Sequence, residues 1–213
     1  MIINIADPCC KVSTANKPIG HEKKSIDQAV NLFGGSCIVT IGKEYDDHYP
    51  CKVHNILKCI TENDGIIKKT FWELKNLIVI ESLKEADIIW LIYVDFVVLL
   101  FLSIRGNKKR YLLTTFRNWE AKFKKDKHFC RIRTAIYHRA INNSELIIYT
   151  DPSANVGKNG VHLPDYYLEK KYCVYRNVKK EGCVLLGIMS ESKHIVEIAK
   201  VFAMTNVQLK IIG

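Results

Sequence analysis

Cysteines, histidines, carboxylates and hydroxyls are the side chains here that could do chemistry, and their spacing limits which chemistry that is. Eight cysteines stand at positions 9, 10, 37, 51, 59, 130, 173 and 183. No two are separated by the two-residue gap of zinc knuckles or dithiol redox motifs. The seven histidines add no ligand spacing to them, so no metal is expected. Cys37 and Cys183 lie in apolar runs and read as reduced, structural thiols. A phosphate-cradling loop is also missing, because the stretch from Asn155 to Gly160 lacks both the first glycine and the hydroxyl after Lys158. What remains are polar residues placed directly after apolar runs: Asp7, Asp95, Thr114, Thr115, Thr150 and Asp151. In an open parallel sheet the ligand cleft lies outside the carboxyl ends of the strands, which makes these six the cleft candidates. Asp95 closes a wholly apolar run, so its carboxylate needs a partner or a task; capping the helix that follows is the simpler role.

The elements that must position these residues follow from periodicity. Residues 2–6 form a strand-like run, and a turn-rich loop extends from there to position 21. Ile26, Ala29, Val30 and Phe33 recur at helical spacing, Gly34 and Gly35 supply a stop, and residues 36–41 are apolar and β-branched. No element is expected in the polar stretch 42–64. Ile67, Phe71, Leu74 and Ile78 then mark an amphipathic helix whose end merges with the strand-like residues 77–80. Residues 88–94 are apolar on both faces, as a central strand covered on each side must be. A buried helix over 96–103, a strand over 110–115, a long basic helix over 118–142 with Ile132, Ala135, Ile136 and Ala140 on one face, and a strand over 146–150 complete the series. This alternation predicts an α/β fold, a Rossmann-like parallel sheet with helices on both faces, over residues 1–150. Residues 151–182 read as a linker between domains. Strands at 183–189 and 209–213 around a helix then form one βαβ unit, which by itself cannot cover both faces of its strands. It is therefore expected to open a second Rossmann-like domain that continues beyond position 213.

Leu185, Leu186, Gly187, Ile188, Met189, Ser190, Glu191, Ser192 and Lys193, followed by an apolar helix and by a strand ending in Gly213, resemble the start of the carboxyl-terminal domain of GT-B glycosyltransferases. Val161, His162, Leu163, Pro164 and Asp165 resemble the crossing between that family's two domains. The resemblance spans the chain in element order and about fifty residues in motif. It implies transfer of a sugar from a nucleotide-sugar donor to a glycan or lipid-linked acceptor, with no cofactor beyond the donor substrate. Residues 1–150 would supply the acceptor side and 183–213 the first part of the donor side. Lys193 matches the family's diphosphate-contacting lysine and Gly187 its opening turn, whereas Ile188 stands where the family has an arginine. The family's later pair of glutamates has no counterpart, so turnover by this chain alone is expected to be absent.

Composition, 48% hydrophobic and 25% charged, is that of an ordinary globular protein. Nothing resembles a secretory leader, and the apolar run 88–102, interrupted by Asp95, is too short to cross a bilayer, so a cytoplasmic location is expected. The net charge of +10 is concentrated between Arg105 and Arg139. Arg117, Trp119, Lys122, Lys124, Lys125 and Lys127 combine cations with aromatic rings in a patch suited to the anionic inner face of a membrane. The rival reading is a non-catalytic basic α/β module on such a surface or on nucleic acid; nucleic acid is the less favoured partner. A dehydrogenase or epimerase is disfavoured because no Gly-x-Gly-x-x-Gly follows the first strand.

Overall fold

A computed structural model describes residues 1–18, 20–45, 48–105, 110–115, 117–126, 129–154, 156–163, 183–186, 199–200, 203–204 and 209–212. The elements in chain order are β1 (Ile3–Ala6), β2 (Lys11–Val12), α1 (Gly20–Phe33), β3 (Cys37–Gly42), β4 (Lys52–Leu57), β5 (Ile60–Thr61), α2 (Ile66–Ser82), β6 (Ile88–Leu91), α3 (Phe96–Arg105), β7 (Arg110–Thr115), α4 (Trp119–Asp126), α5 (Cys130–Asn142), β8 (Leu146–Tyr149), β9 (Gly160–His162), β10 (Cys183–Leu186) and β11 (Leu209–Ile212). Seven strands form one sheet in the order β4-β3-β1-β6-β7-β8-β9. Every pairing in it is parallel. The fold is therefore α/β and Rossmann-like, as the alternation predicts.

The buried patterns explain the strand order. β1, β3 and β6 are buried at every position, as strands clad by helices on both faces should be. β4 is exposed or half-buried at every position before Leu57, which suits the sheet edge it occupies. That exposure is also why the polar stretch 42–64 conceals a strand. Gly42 ends β3 where a Cβ would come within 2.1 Å of Cys59 Sγ, so only glycine lets the 59–60 segment close over this end of the sheet.

Right-handed crossovers put α1 on one face and the helices that lead to β6, β7 and β8 on the other. The packing agrees: α1 lies against β1 and β3, while α2 packs on α3 and α3 on α5. The single basic helix expected over 118–142 is two helices, α4 and α5, separated by Phe129 in the left-handed region at φ 51°. Ile132 is exposed, and Tyr137, Ala140 and Ile141 make the buried face of α5.

Two further departures concern boundaries and faces. Residues 151–163 do not form a linker: β9 pairs with β8 through Ile147–Gly160, Ile148–Val161 and Tyr149–His162, and the first compact unit runs to Asp165. In the second unit, β10 and β11 form their own parallel pair.

The other departure is α2, which runs unbroken to Ser82 and buries Glu73, Asn76, Leu77 and Ile80. The apolar stripe Ile67, Phe71, Leu74 and Ile78 faces outward instead, with Ile67 84% exposed. At about 100° per residue the two faces lie on nearly opposite sides of the helix.

Asn76 sets this roll. Its Nδ2 donates to the Pro8 carbonyl at 2.8 Å and the Lys58 carbonyl at 2.9 Å, while Oδ1 accepts from the Lys58 N–H at 2.9 Å. Rolling α2 to bury the stripe would break these three hydrogen bonds, at about 1–3 kcal/mol for each partner left buried and unsatisfied, and would bring Leu77 and Ile80 out of the core. Two substitutions test this in urea denaturation. Asn76→Ala is expected to destabilise the fold by about 2–4 kcal/mol, whereas Phe71→Ser should stay within about 0.5 kcal/mol, as surface changes do; a large loss for Phe71→Ser would mean that the stripe is core.

Candidate functional site

The sheet order defines where a ligand crevice belongs. From β1 the chain moves one way to β3 and β4, and later returns to lay β6 on the opposite flank of β1, so the carboxyl ends of β1 and β6 are the point where strand order reverses. In register, Ala6 pairs with Leu91, and the residues just beyond them are Asp7 to Cys9 on one side and Ile92 to Asp95 on the other. Two of the six cleft candidates, Asp7 and Asp95, are thus brought to one spot.

Asp7 is fully buried. Its Oδ1 accepts the Cys9 N–H at 3.0 Å, and its Oδ2 accepts the Tyr45 hydroxyl at 3.4 Å, which also donates to the Lys11 carbonyl at 2.8 Å. This carboxylate therefore shapes the loop after β1. Asp95 caps α3 through Oδ1, which accepts from Val97 N–H at 2.8 Å and Val98 N–H at 3.2 Å. Capping, worth about 1 kcal/mol, engages one carboxyl oxygen, and the carboxylate also hydrogen-bonds to the Glu73 carboxyl.

Across from Asp95 stand two residues that the sequence reading left aside, Cys9 and Glu73. One ligand atom from each of Cys9, Glu73 and Asp95 lies within 4.8 Å of the other two. Glu73 is only 3% exposed, and its Oε1 has no hydrogen-bond partner among the described residues. Burial first, and then the Asp95 carboxylate, push its carboxyl well above the ordinary glutamate range. Burial likewise raises the Cys9 thiol, with Glu73 and Asp7 adding to the effect and Lys11 opposing it.

Lys11 reaches Tyr93 at the rim, with Nζ 3.1 Å from the hydroxyl and 4.3 Å from the ring centroid. The site thus pairs a buried acidic floor with a cationic lip.

The remaining cleft candidates hold the structure together. Thr114 Oγ1 accepts the Trp90 indole N–H at 2.8 Å, and the Thr115 hydroxyl meets the Arg117 backbone. The Thr115 carbonyl also accepts the Thr150 N–H at 3.2 Å. Asp151 accepts the Ser153 N–H and hydroxyl at 2.9 and 2.6 Å, and these hydrogen bonds lower its pKa.

In the basic patch, Arg117, Lys122, Lys124 and Lys125 are exposed, whereas Trp119 and Phe123 are 2% exposed and belong to the core. Arg117 and Lys122 lie 5.9 and 4.9 Å from the Trp119 ring centroid. Lys127, Gly187 and Lys193 fall outside the described residues. Among those described, no helix is long and apolar enough to cross a membrane.

Glu73 and Cys9 carry no local sequence signal. Glu73 sits three residues before Asn76 and is turned inward by the hydrogen bonds that hold Asn76; Cys9 follows a strand whose neighbours only the topology reveals.

A buried carboxyl with a raised pKa binds its proton more tightly in the folded than in the unfolded chain, so its contribution to stability is lost as pH rises above the ordinary glutamate range. Glu73→Gln removes that dependence. In EDTA, the variant should melt at a higher temperature than wild type at about pH 8, with the gap closing toward about pH 4; a gap independent of pH would show that Glu73 is not held in its neutral form. A scan of the sequence against protein-family models finds no match, and a search of curated proteins finds none either.

Proposed function

We propose that the chain carries the acceptor-side domain, and the opening of the donor-side domain, of a nucleotide-sugar-dependent glycosyltransferase. The observation that carries this reading is the reversal point between β1 and β6, where a parallel sheet leaves a crevice and where ionisable groups collect. Two facts support it further: a parallel β10-β11 pair follows the first unit, and the Gly187 to Lys193 segment resembles the donor-side turn of GT-B enzymes. In this reading the acceptor enters over Asp95 and Tyr93, with Lys11 and Arg117 attracting its negative charge. Lys193, which the resemblance puts where the family's diphosphate-contacting lysine stands, offsets charge on the departing diphosphate. The donor is the only small molecule required.

The rival is a non-catalytic basic module on anionic membranes. The exposure of Lys122, Lys124 and Lys125 on α4 favours it, while burial of Trp119 and Phe123 leaves Phe129 as the exposed ring of the segment on which nucleic-acid bases could stack.

Calorimetric titration with uridine, guanosine and adenosine diphosphate sugars tests the main reading. One of them should bind, and Lys193→Ala should weaken it about ten-fold or more, the value of one charge-assisted hydrogen bond. Absence of binding by all three, together with co-sedimentation on phosphatidylserine vesicles that is lost when the three α4 lysines become glutamine, would decide for the rival.

A further inference from the structure

We propose that Cys9, Glu73 and Asp95 form a binding site for one zinc-class divalent cation at the β1/β6 reversal point. Three separate elements deliver the donors: the loop after β1 brings a thiol, the inner face of α2 a carboxyl, and the loop after β6 a second carboxyl. One ligand atom from each lies within 4.8 Å of the other two. A tetrahedral zinc with Zn–S near about 2.3 Å and Zn–O near about 2.1 Å draws its ligands from a sphere of that size.

The Glu73 carboxyl already meets the other two donors, being hydrogen-bonded to Asp95 and to Cys9. Glu73 Oε1 is enclosed and has no donor among the described residues. An enclosed carboxylate oxygen without a donor costs free energy that a bound cation removes. Asp95 engages Oδ1 in the α3 cap, which fixes a carboxylate that also hydrogen-bonds to the Glu73 carboxyl, the contact a bound cation would replace. Asp7 anchors the Cys9 backbone through its N–H, the supporting role that partners behind the ligands play in metal sites.

The donor set selects the metal. One sulfur and two carboxylates are too soft for magnesium or calcium, which take oxygen ligands, and match zinc or cobalt. Three protein ligands also leave a fourth position for water, the pattern of reactive rather than purely structural zinc. Asp95 is the only one of the three residues that is not buried, so the ion and its water enter on that side. The site depends on no assumption about sugar transfer.

Metal-free protein titrated with cobalt(II) should show a thiolate-to-cobalt charge-transfer band saturating at one equivalent, and zinc(II) should displace it. Cys9→Ser should abolish the band. Glu73→Gln and Asp95→Asn, which keeps the helix cap, should retain it but weaken affinity at least about ten-fold. Cys37→Ser should change nothing. A band that survives Cys9→Ser, or none at one equivalent, overturns the proposal. Should the serine variant fail to fold, X-ray absorption of the zinc-loaded wild type decides: one sulfur with oxygen neighbours supports the site, and two or more sulfurs overturn it.

Discussion

Asn76 ties α2 to two parts of the chain that already meet through the β2–β5 pairing. Its amide spans the loop after β1, the segment before β5 and the inner face of α2. Because all its partners are backbone groups, the helix cannot turn about its axis without breaking every one of these hydrogen bonds. Glu73, one turn earlier, is carried inward by the same roll and meets Cys9 and Asp95 at the reversal point of the sheet. Position along the sheet comes from topology, and rotation comes from one amide; the acidic floor of the crevice requires both.

How far the sequence discloses this differs between fold and site. The largely apolar runs that become β1, β3 and β6, broken only by Asn4 and Thr40, which hydrogen-bond to each other, announce a parallel sheet, because strands covered on both faces carry few polar residues. Edge strands escape notice for the converse reason: β4 and β9 are half-solvated and carry Lys52, His54, Asn55 and His162. Phe129 splits the long basic helix through a left-handed residue that no periodicity foreshadows. For α2 the pattern is misleading, since the outward stripe is more regular than the inward face and a hydrophobic periodicity says nothing of where the core lies. Asp7 and Asp95 are legible because the carboxyl-end rule needs only strand ends. Cys9 and Glu73 are not, because their meeting depends on strand order and helix rotation together.

Electrostatics divides the molecule in the same way. Among the cations between Arg105 and Arg139, Arg105 pairs with Glu81, Arg110 with Glu145 and Arg133 with Asp126, while Arg117 and Lys122 lie over the ring of the buried Trp119. Such surface pairs add little stability each. Arg110 opens β7 level with Ile88, so its pair with Glu145 lies at the amino end of the sheet, away from the acidic crevice at the carboxyl ends.

The outward stripe on α2 has a consequence for how copies of this protein meet in water. A net charge of +10 keeps molecules apart through a repulsion that reaches about 8 Å at physiological ionic strength and shrinks as salt is added. Adhesion between greasy helix surfaces is indifferent to salt at these levels and grows on warming from the cold. Colloidal behaviour is thus a contest between a long-ranged, screenable force and a short-ranged, unscreenable one, and dilute cold buffer is the regime in which the first prevails.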